Sequence, residues 1–223
     1  MQILSHRGYW HTPAEKNTAA AFRRSFRLGY GTETDIRDCN GALVIAHDMA
    51  TAADMPLETF LALYREEGNG LPLALNIKAD GLQIPLQAAL TAADVRNAFV
   101  FDMSVPDTLG YQRVGLPFFT RQSDLEPTPA LLAAAHGVWL DSFGPEDWIT
   151  AATLAPLLAA GKAVCLVSPE LHKRPHLPFW ERLRGFAAAA EERLLLCTDF
   201  PEEATAFFGP LVQSSKEAAR VAA

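Results

Sequence analysis

Short apolar, β-branched or aromatic runs recur along this chain, each followed by a helix-like stretch. That alternation limits the possible folds more than any other feature. The runs fall at 2–5, 31–36 with an extension at 42–46, 72–77, 98–101, 117–120, 137–140, 163–167 and 194–197. Several are apolar at consecutive positions, as strands buried on both faces of a parallel sheet should be. Between them lie helical signals. Asn17 can cap a helix over 18–28, with Phe22 and Phe26 on one face and Gly29 as its stop. Leu57, Phe60, Leu61 and Tyr64 form a second stripe, closed by Gly68. Further helices are predicted at 82–93, 107–112, 129–135, 148–160, 178–190 and 201–208.

Repeated β-then-α units in one undivided chain predict an α/β fold, a single compact (β/α)8 TIM barrel. At about 24 residues per unit, eight units need roughly 190 residues. The chain has 223, so residues 1–210 are assigned to the barrel and 211–223 to a C-terminal tail. A doubly wound open sheet is the competing architecture, but its Gly-rich phosphate turn is missing.

Composition narrows the partners. The chain is 49% apolar, enough for a large core, yet no run approaches the ~18 apolar residues that span a bilayer, so stable membrane insertion is not expected. A net charge of -7 argues against non-specific binding to nucleic acid or anionic membrane. Cys39, Cys165 and Cys197 are far apart and lack CxxC spacing, which fits a reducing cytoplasm better than a disulfide framework or a zinc site. Oligomeric state is left open.

In a barrel of this kind chemistry collects at the C-terminal strand ends, and polar residues recur there. Ser5-His6-Arg7-Gly8 follows the first strand, Glu33-Thr34-Asp35 lies on the second, His47-Asp48 ends the extension, and Asn76-Ile77-Lys78 ends the third. Asp102, Arg121, Asp141, Glu170 and Asp199 follow the later strands. Glu33 and Asp35 are two apart on a strand and so share a face. Two such carboxylates either hold a hard divalent cation or pair with Arg37 or Arg7. Arg7 offers a planar donor fork suited to phosphate, Lys78 a point charge, and His6 and His47 the near-neutral pKa that a proton relay requires. Glu170, His172, Lys173 and Arg174 form either a headgroup-reading loop or a solvated one.

These residues resemble the glycerophosphodiester phosphodiesterase family, which is similar in fold and mechanism to phosphatidylinositol-specific phospholipase C. The matching segments are Ser5-His6-Arg7-Gly8, Glu15-Lys16-Asn17-Thr18, Glu33-Thr34-Asp35, Asn40-Gly41, His47-Asp48, Asn76-Ile77-Lys78 and Thr198-Asp199-Phe200-Pro201. The first 48 residues match almost continuously, the middle weakly, and the last strand again. The resemblance implies a barrel hydrolase using a divalent cation, Mg2+ or Ca2+. His6 and His47 take the acid/base positions, Arg7 and Lys78 the phosphate, and Glu33, Asp35 and Asn76 the metal. Glu170, His172 and Asp199 are candidates for contacting a small-molecule phosphodiester, whose hydrolysis would pass through a cyclic phosphate.

The sequence departs from the family in three places. Asn76 stands where the family has a ligand glutamate, which suggests weaker metal binding unless Asp80, Asp102 or Asp141 compensates. The cap insertion after His47-Asp48 is shortened or absent. Ser168–Arg174 replaces a Trp-Thr type segment. A barrel that only binds or senses a phosphodiester is therefore the alternative function.

Overall fold

The computed structural model describes residues 1–186 and 191–211. Eight parallel strands follow one another around a ring. They are β1 (Gln2–His6), β2 (Gly31–Cys39), β5 (Leu73–Ile77), β6 (Ala98–Phe101), β7 (Phe119–Gln122), β8 (Gly137–Leu140), β9 (Ala163–Val167) and β10 (Leu194–Thr198). β10 returns to pair with β1 over four positions, Gln2 with Leu195 through Ser5 with Thr198. The thinnest join lies between β6 and β7, where Val100 and Phe118 form an isolated bridge. The expectation of a barrel is met.

The extension predicted after the second strand is a separate element. β2 turns back at Asn40-Gly41, both with positive φ, into the antiparallel β3 (Ala42–Ile45). A two-residue β4 (Met55–Pro56) pairs with β3 and leads directly into α2 (Leu57–Leu63). No further domain is inserted between Asp48 and α2.

Side-chain parity divides the core into layers. Leu4, Ala74, Phe99, Phe101, Phe119 and Trp139 fill the barrel, with Phe101 stacked on Trp139 at 3.8 Å. The opposite faces meet the helices. Phe22 and Phe26 of α1 (Ala19–Arg27) pack with Phe60 and Tyr64, while Trp180 of α6 (Leu177–Arg184) packs with Phe208 of α7 (Pro201–Phe208). Each buried aromatic contributes roughly 1.5–3 kcal/mol. Cys165 and Cys197 are buried in the barrel interior, as inert core thiols should be.

Three helix expectations need correction. Thr18 caps α1, its Oγ1 accepting from Ala21 N at 3.4 Å, while Asn17 takes φ 59 and turns its side chain elsewhere. The helix predicted at 107–112 is longer, α4 (Val105–Val114), because Ser104 caps it and left-handed Gly115 ends it. No helix forms at 129–135. That stretch is turns, with Pro127 and Pro129 in its approach and Leu131 at φ 57. The remaining helices are α3 (Gln83–Ala92) and α5 (Ala151–Ala159). Residues 187–190 of the predicted 178–190 helix, and 212–223 of the tail, lie outside the described residues.

Candidate active site

The turn after β1 places the first group. Arg7 (φ 61) and Gly8 (φ 80) are left-handed, and a Cβ on Gly8 would lie 2.8 Å from Ala21 Cβ, so only glycine fits against α1. Arg7 N donates to Glu33 O at 2.9 Å and Gly8 N to Thr32 Oγ1 at 3.0 Å, pinning the turn to β2. A non-glycine residue in this region costs about 1–2 kcal/mol, and here it aims the guanidinium at β2.

Register then assembles the cluster. His6 lies opposite Glu33, and Asp35 opposite Asn76, all on strand positions whose parity faces the barrel interior. Glu33 and Asp35 are buried. Asp35 is ion-paired on both sides, with Arg7 Nε 3.1 Å from Oδ2 and Lys78 Nζ 3.3 Å from Oδ1. Arg7, rather than Arg37, is therefore the cation beside the carboxylates. Asn17 joins them, donating from Nδ2 to Asp35 Oδ2 at 2.9 Å and accepting from Thr34 Oγ1. Its positive φ makes that reach possible, and the sequence reading, which makes Asn17 a cap, misses this role.

Glu33 Oε2 and Asn76 Oδ1 are buried without a hydrogen-bond donor, while Asp35 Oδ1 has only the Lys78 ammonium at 3.3 Å. Each such group costs about 1–3 kcal/mol when left unsatisfied. Burial, and then the charge of Asp35, pushes Glu33 up to about 8. An oxygen-only set of this kind fits a hard divalent cation. Among the described residues no group of three or more His, Cys, Asp or Glu side chains is arranged to hold a metal.

The two histidines differ. His6 is nearly buried, and its Nδ1–H donates to Asp199 Oδ1 at 2.7 Å, leaving the Nε2 lone pair 4.0 Å from Glu33 Oε2. Burial lowers its pKa and outweighs the opposing pull of Asp199, so the ring is neutral at pH 7. His47 is 43% exposed and bonded at Nδ1 to Asp48 Oδ1 at 2.8 Å. It lines an open cleft of ≈ 510 Å³ with Arg7, Lys16, Asn17 and Met49. Arg7 thus borders both the buried cluster and the His47 cleft.

Solved structures share this arrangement of elements. A glycerophosphodiester phosphodiesterase from Agrobacterium tumefaciens matches with a TM-score of 0.70 at 16% identity, covering 92% of this chain and 99% of that one. One from Parabacteroides distasonis matches at 0.67 and 15%, covering 93% and 96%. An Oleispira antarctica phosphodiesterase, solved in complex with the product sn-glycerol-3-phosphate, matches at 0.65 and 14%, covering 93% and 96%. The fold is that of the glycerophosphodiester phosphodiesterases. No protein-family model matches the sequence, and no curated protein matches it. At such identities likeness establishes the fold, and chemistry has to be argued from side chains.

The candidate substrate contacts at the later strand ends all have partners within the protein. Asp199 Oδ1 is bonded to His6 Nδ1. Glu170 is also committed internally, accepting from Ser168 Oγ, Thr198 Oγ1 and Asp199 N, so it braces the Asp199 backbone. His172 Nε2 is bonded to Asp141 Oδ1 at 2.7 Å, a contact that raises the histidine pKa. Arg174 pairs with Glu146, and Lys173 is exposed. Among the residues considered as compensating ligands, Asp80 is taken by Ser104 and Asp141 by His172, while Asp102 accepts from Asn76 Nδ2 at 3.3 Å. Burial raises the Asp102 pKa even with Arg121 Nη1 3.0 Å away.

Proposed function

We propose that this chain is a metal-dependent phosphodiesterase acting on a small glycerophosphodiester or a related sugar or alcohol phosphodiester. One observation carries the reading. Two buried oxygens without a hydrogen-bond donor, Glu33 Oε2 and Asn76 Oδ1, share a strand face with the Asp35 carboxylate beside Arg7, Lys78 and an oriented neutral histidine on a barrel of phosphodiesterase fold. The cysteine content favours a cytoplasmic setting, and no described helix is long and apolar enough to cross a membrane.

Glu33, Asp35 and Asn76 would hold Mg2+ or Ca2+. Bound there, the ion supplies charge neutralisation for the phosphoryl oxygens. Arg7 and Lys78, each partly exposed beside Asp35, provide further positive charge for the same oxygens. His6 acts as base: its Nδ1–H is held by Asp199, so Nε2 accepts the proton of the hydroxyl next to the phosphate. That hydroxyl attacks phosphorus, and His47 in the open cleft protonates the departing alkoxide. Water then opens the cyclic phosphate with the histidine roles exchanged.

The second reading is a barrel that binds or senses a phosphodiester without turning it over. The neutral Asn76 and the double ion pair on Asp35 favour it, because both lower the negative charge available to a cation. Purified protein given Mg2+ or Ca2+ and bis-p-nitrophenyl phosphate or a glycerophosphodiester separates the two. Turnover abolished by chelation and by His6→Ala supports the enzyme. Tight ligand binding with no turnover on a phosphodiester panel supports the sensor.

A further inference from the structure

Of the three groups assigned to the cation, Asn76 alone is neutral, and its amide has two unlike ends. Nδ2 donates to Asp102 Oδ2 at 3.3 Å, while Oδ1 is buried without a donor. β5 lies between β2 and β6, with Asn76 paired to Asp35 on one side and to Phe101 on the other. An amide whose nitrogen is held from the end of β6 keeps its oxygen turned from β6, on the side of the β2 carboxylates. The reverse orientation would offer an N–H to Glu33 or Asp35 and satisfy them without any cation. Asp102 selects between the two, because an ionised carboxylate only accepts.

Asp102 is itself held in place. It follows β6 with φ 69, and its Oδ1 accepts from Arg121 Nη1 at 3.0 Å. Arg121 Nε also pairs with Glu126 Oε2 at 2.5 Å. Two carboxylates on one guanidinium leave this trio with a single net negative charge. That is the charge an amide lacks when it stands in place of a carboxylate. Asp80 and Asp141 are engaged by Ser104 and His172, whereas Asp102 reaches Asn76.

We propose that Asp102 is a positioning residue for the cation site. It fixes Asn76 with Oδ1 toward the β2 carboxylates, and it places behind the neutral amide the charge that a carboxylate at position 76 would bring directly. The inference rests on the metal-dependent reading and deepens it. Asn76 and Asp102 act as one unit, split across two neighbouring strands, with Arg121 as its anchor. Metal-ligating groups are commonly oriented by such outer partners.

Calorimetric titration with Mg2+ and with Ca2+ tests the pair. Asp102→Asn keeps the shape, but its oxygen stays with Arg121 and its NH2 faces Asn76, so the Asn76 amide turns over and presents an N–H to the β2 carboxylates. Cation affinity should fall about 10–100-fold. Exchanging the two residues, Asn76→Asp with Asp102→Asn, restores both the charge and the hydrogen bond between them, and affinity should return to the parent value or better. Parent affinity in Asp102→Asn alone would overturn the positioning role and leave the cation site standing. Loss in that variant without recovery on exchange would overturn it as well, marking Asp102 as a structural support. A parent chain that binds neither ion would overturn this inference and the metal-dependent reading together. Melting in chelator checks that each variant folds; where one does not, Asp102→Ser, alone or with Asn76→Glu, takes its place with the same outcomes.

Discussion

The two arcs of the barrel mouth are built from similar residues and treat them differently. On the arc of β1, β2 and β5, Glu33 Oε2 and Asn76 Oδ1 are buried without a hydrogen-bond donor, beside an Asp35 carboxylate held by Arg7 and Lys78. On the arc of β6 to β9, the charged strand-end groups are matched, Asp102 with Arg121, Arg121 with Glu126, Asp141 with His172, and Glu146 with Arg174, and the donorless buried oxygen there belongs to the neutral Gln122 of β7. Buried polar groups are ordinarily satisfied, so a carboxylate and an amide oxygen left without donors side by side distinguish the first arc from the second. Strand-end position alone does not separate the two; the hydrogen-bond partners do.

The sharpest way to break this contrast is to remove groups from the first arc. His6→Ala should lower kcat by about 10²–10⁴, and His47→Ala by a comparable factor, measured on a glycerophosphodiester with Mg2+ or Ca2+. Wild-type rates in both would place the chemistry elsewhere. Asp199→Asn keeps the size of the orienting group but no longer fixes the Nδ1–H form of His6. It should cost about 10–100-fold in kcat with KM little changed.

Metal binding offers a second test. Asn76→Glu should tighten Mg2+ or Ca2+ binding by calorimetry, and unchanged affinity would remove Asn76 from the ligand set. Glu33 adds a pH signature. Its pKa rises from 4.5 unfolded to about 8 folded, so between those values the folded chain keeps a proton that the unfolded chain has released. Metal-free stability should therefore fall as pH rises from 4.5 to 8. In chelator, Glu33→Gln should melt above the parent at pH 8, a gain that fades on acidification. A lower melting point at pH 8 would show the carboxylate to be a structural partner instead.

The smallest effect belongs to the second arc. Asp141 raises the His172 pKa above 6.5, so this pair stabilises the fold fully below pH 6.5, and the contribution is lost as pH rises through the higher folded value. Asp141→Asn should cost about 1 kcal/mol at low pH, erase that pH dependence, and leave kcat within about threefold. A large fall in kcat would make the two arcs chemically equivalent.

Much of the fold was legible because strands buried on both faces write themselves as apolar runs, and those survive at 163–167 and 194–197 almost unchanged. The cluster on β2 and β5 was legible because period-two spacing places Glu33 beside Asp35, and Asn76 beside Lys78, whatever the rest of the chain does. What was hidden depends on long-range contact. Asp199 lies 193 residues from His6, and no local pattern shows that it orients the ring. Glu170 looks like a free carboxylate until β10 brings Thr198 and the Asp199 amide against it. The absent helix at 129–135 was a local misreading, since two nearby prolines and the left-handed Leu131 produce turns there.

The central claim is that the unsatisfied arc is a phosphodiesterase centre, and 31P NMR of a glycerophosphodiester incubated with the protein and Mg2+ or Ca2+ tests it most directly. The account predicts a glycerol phosphate product, preceded by a transient cyclic phosphate, with both signals lost in chelator and in His6→Ala. Product formation at the parent rate in chelator, or in both His6→Ala and His47→Ala, would contradict it.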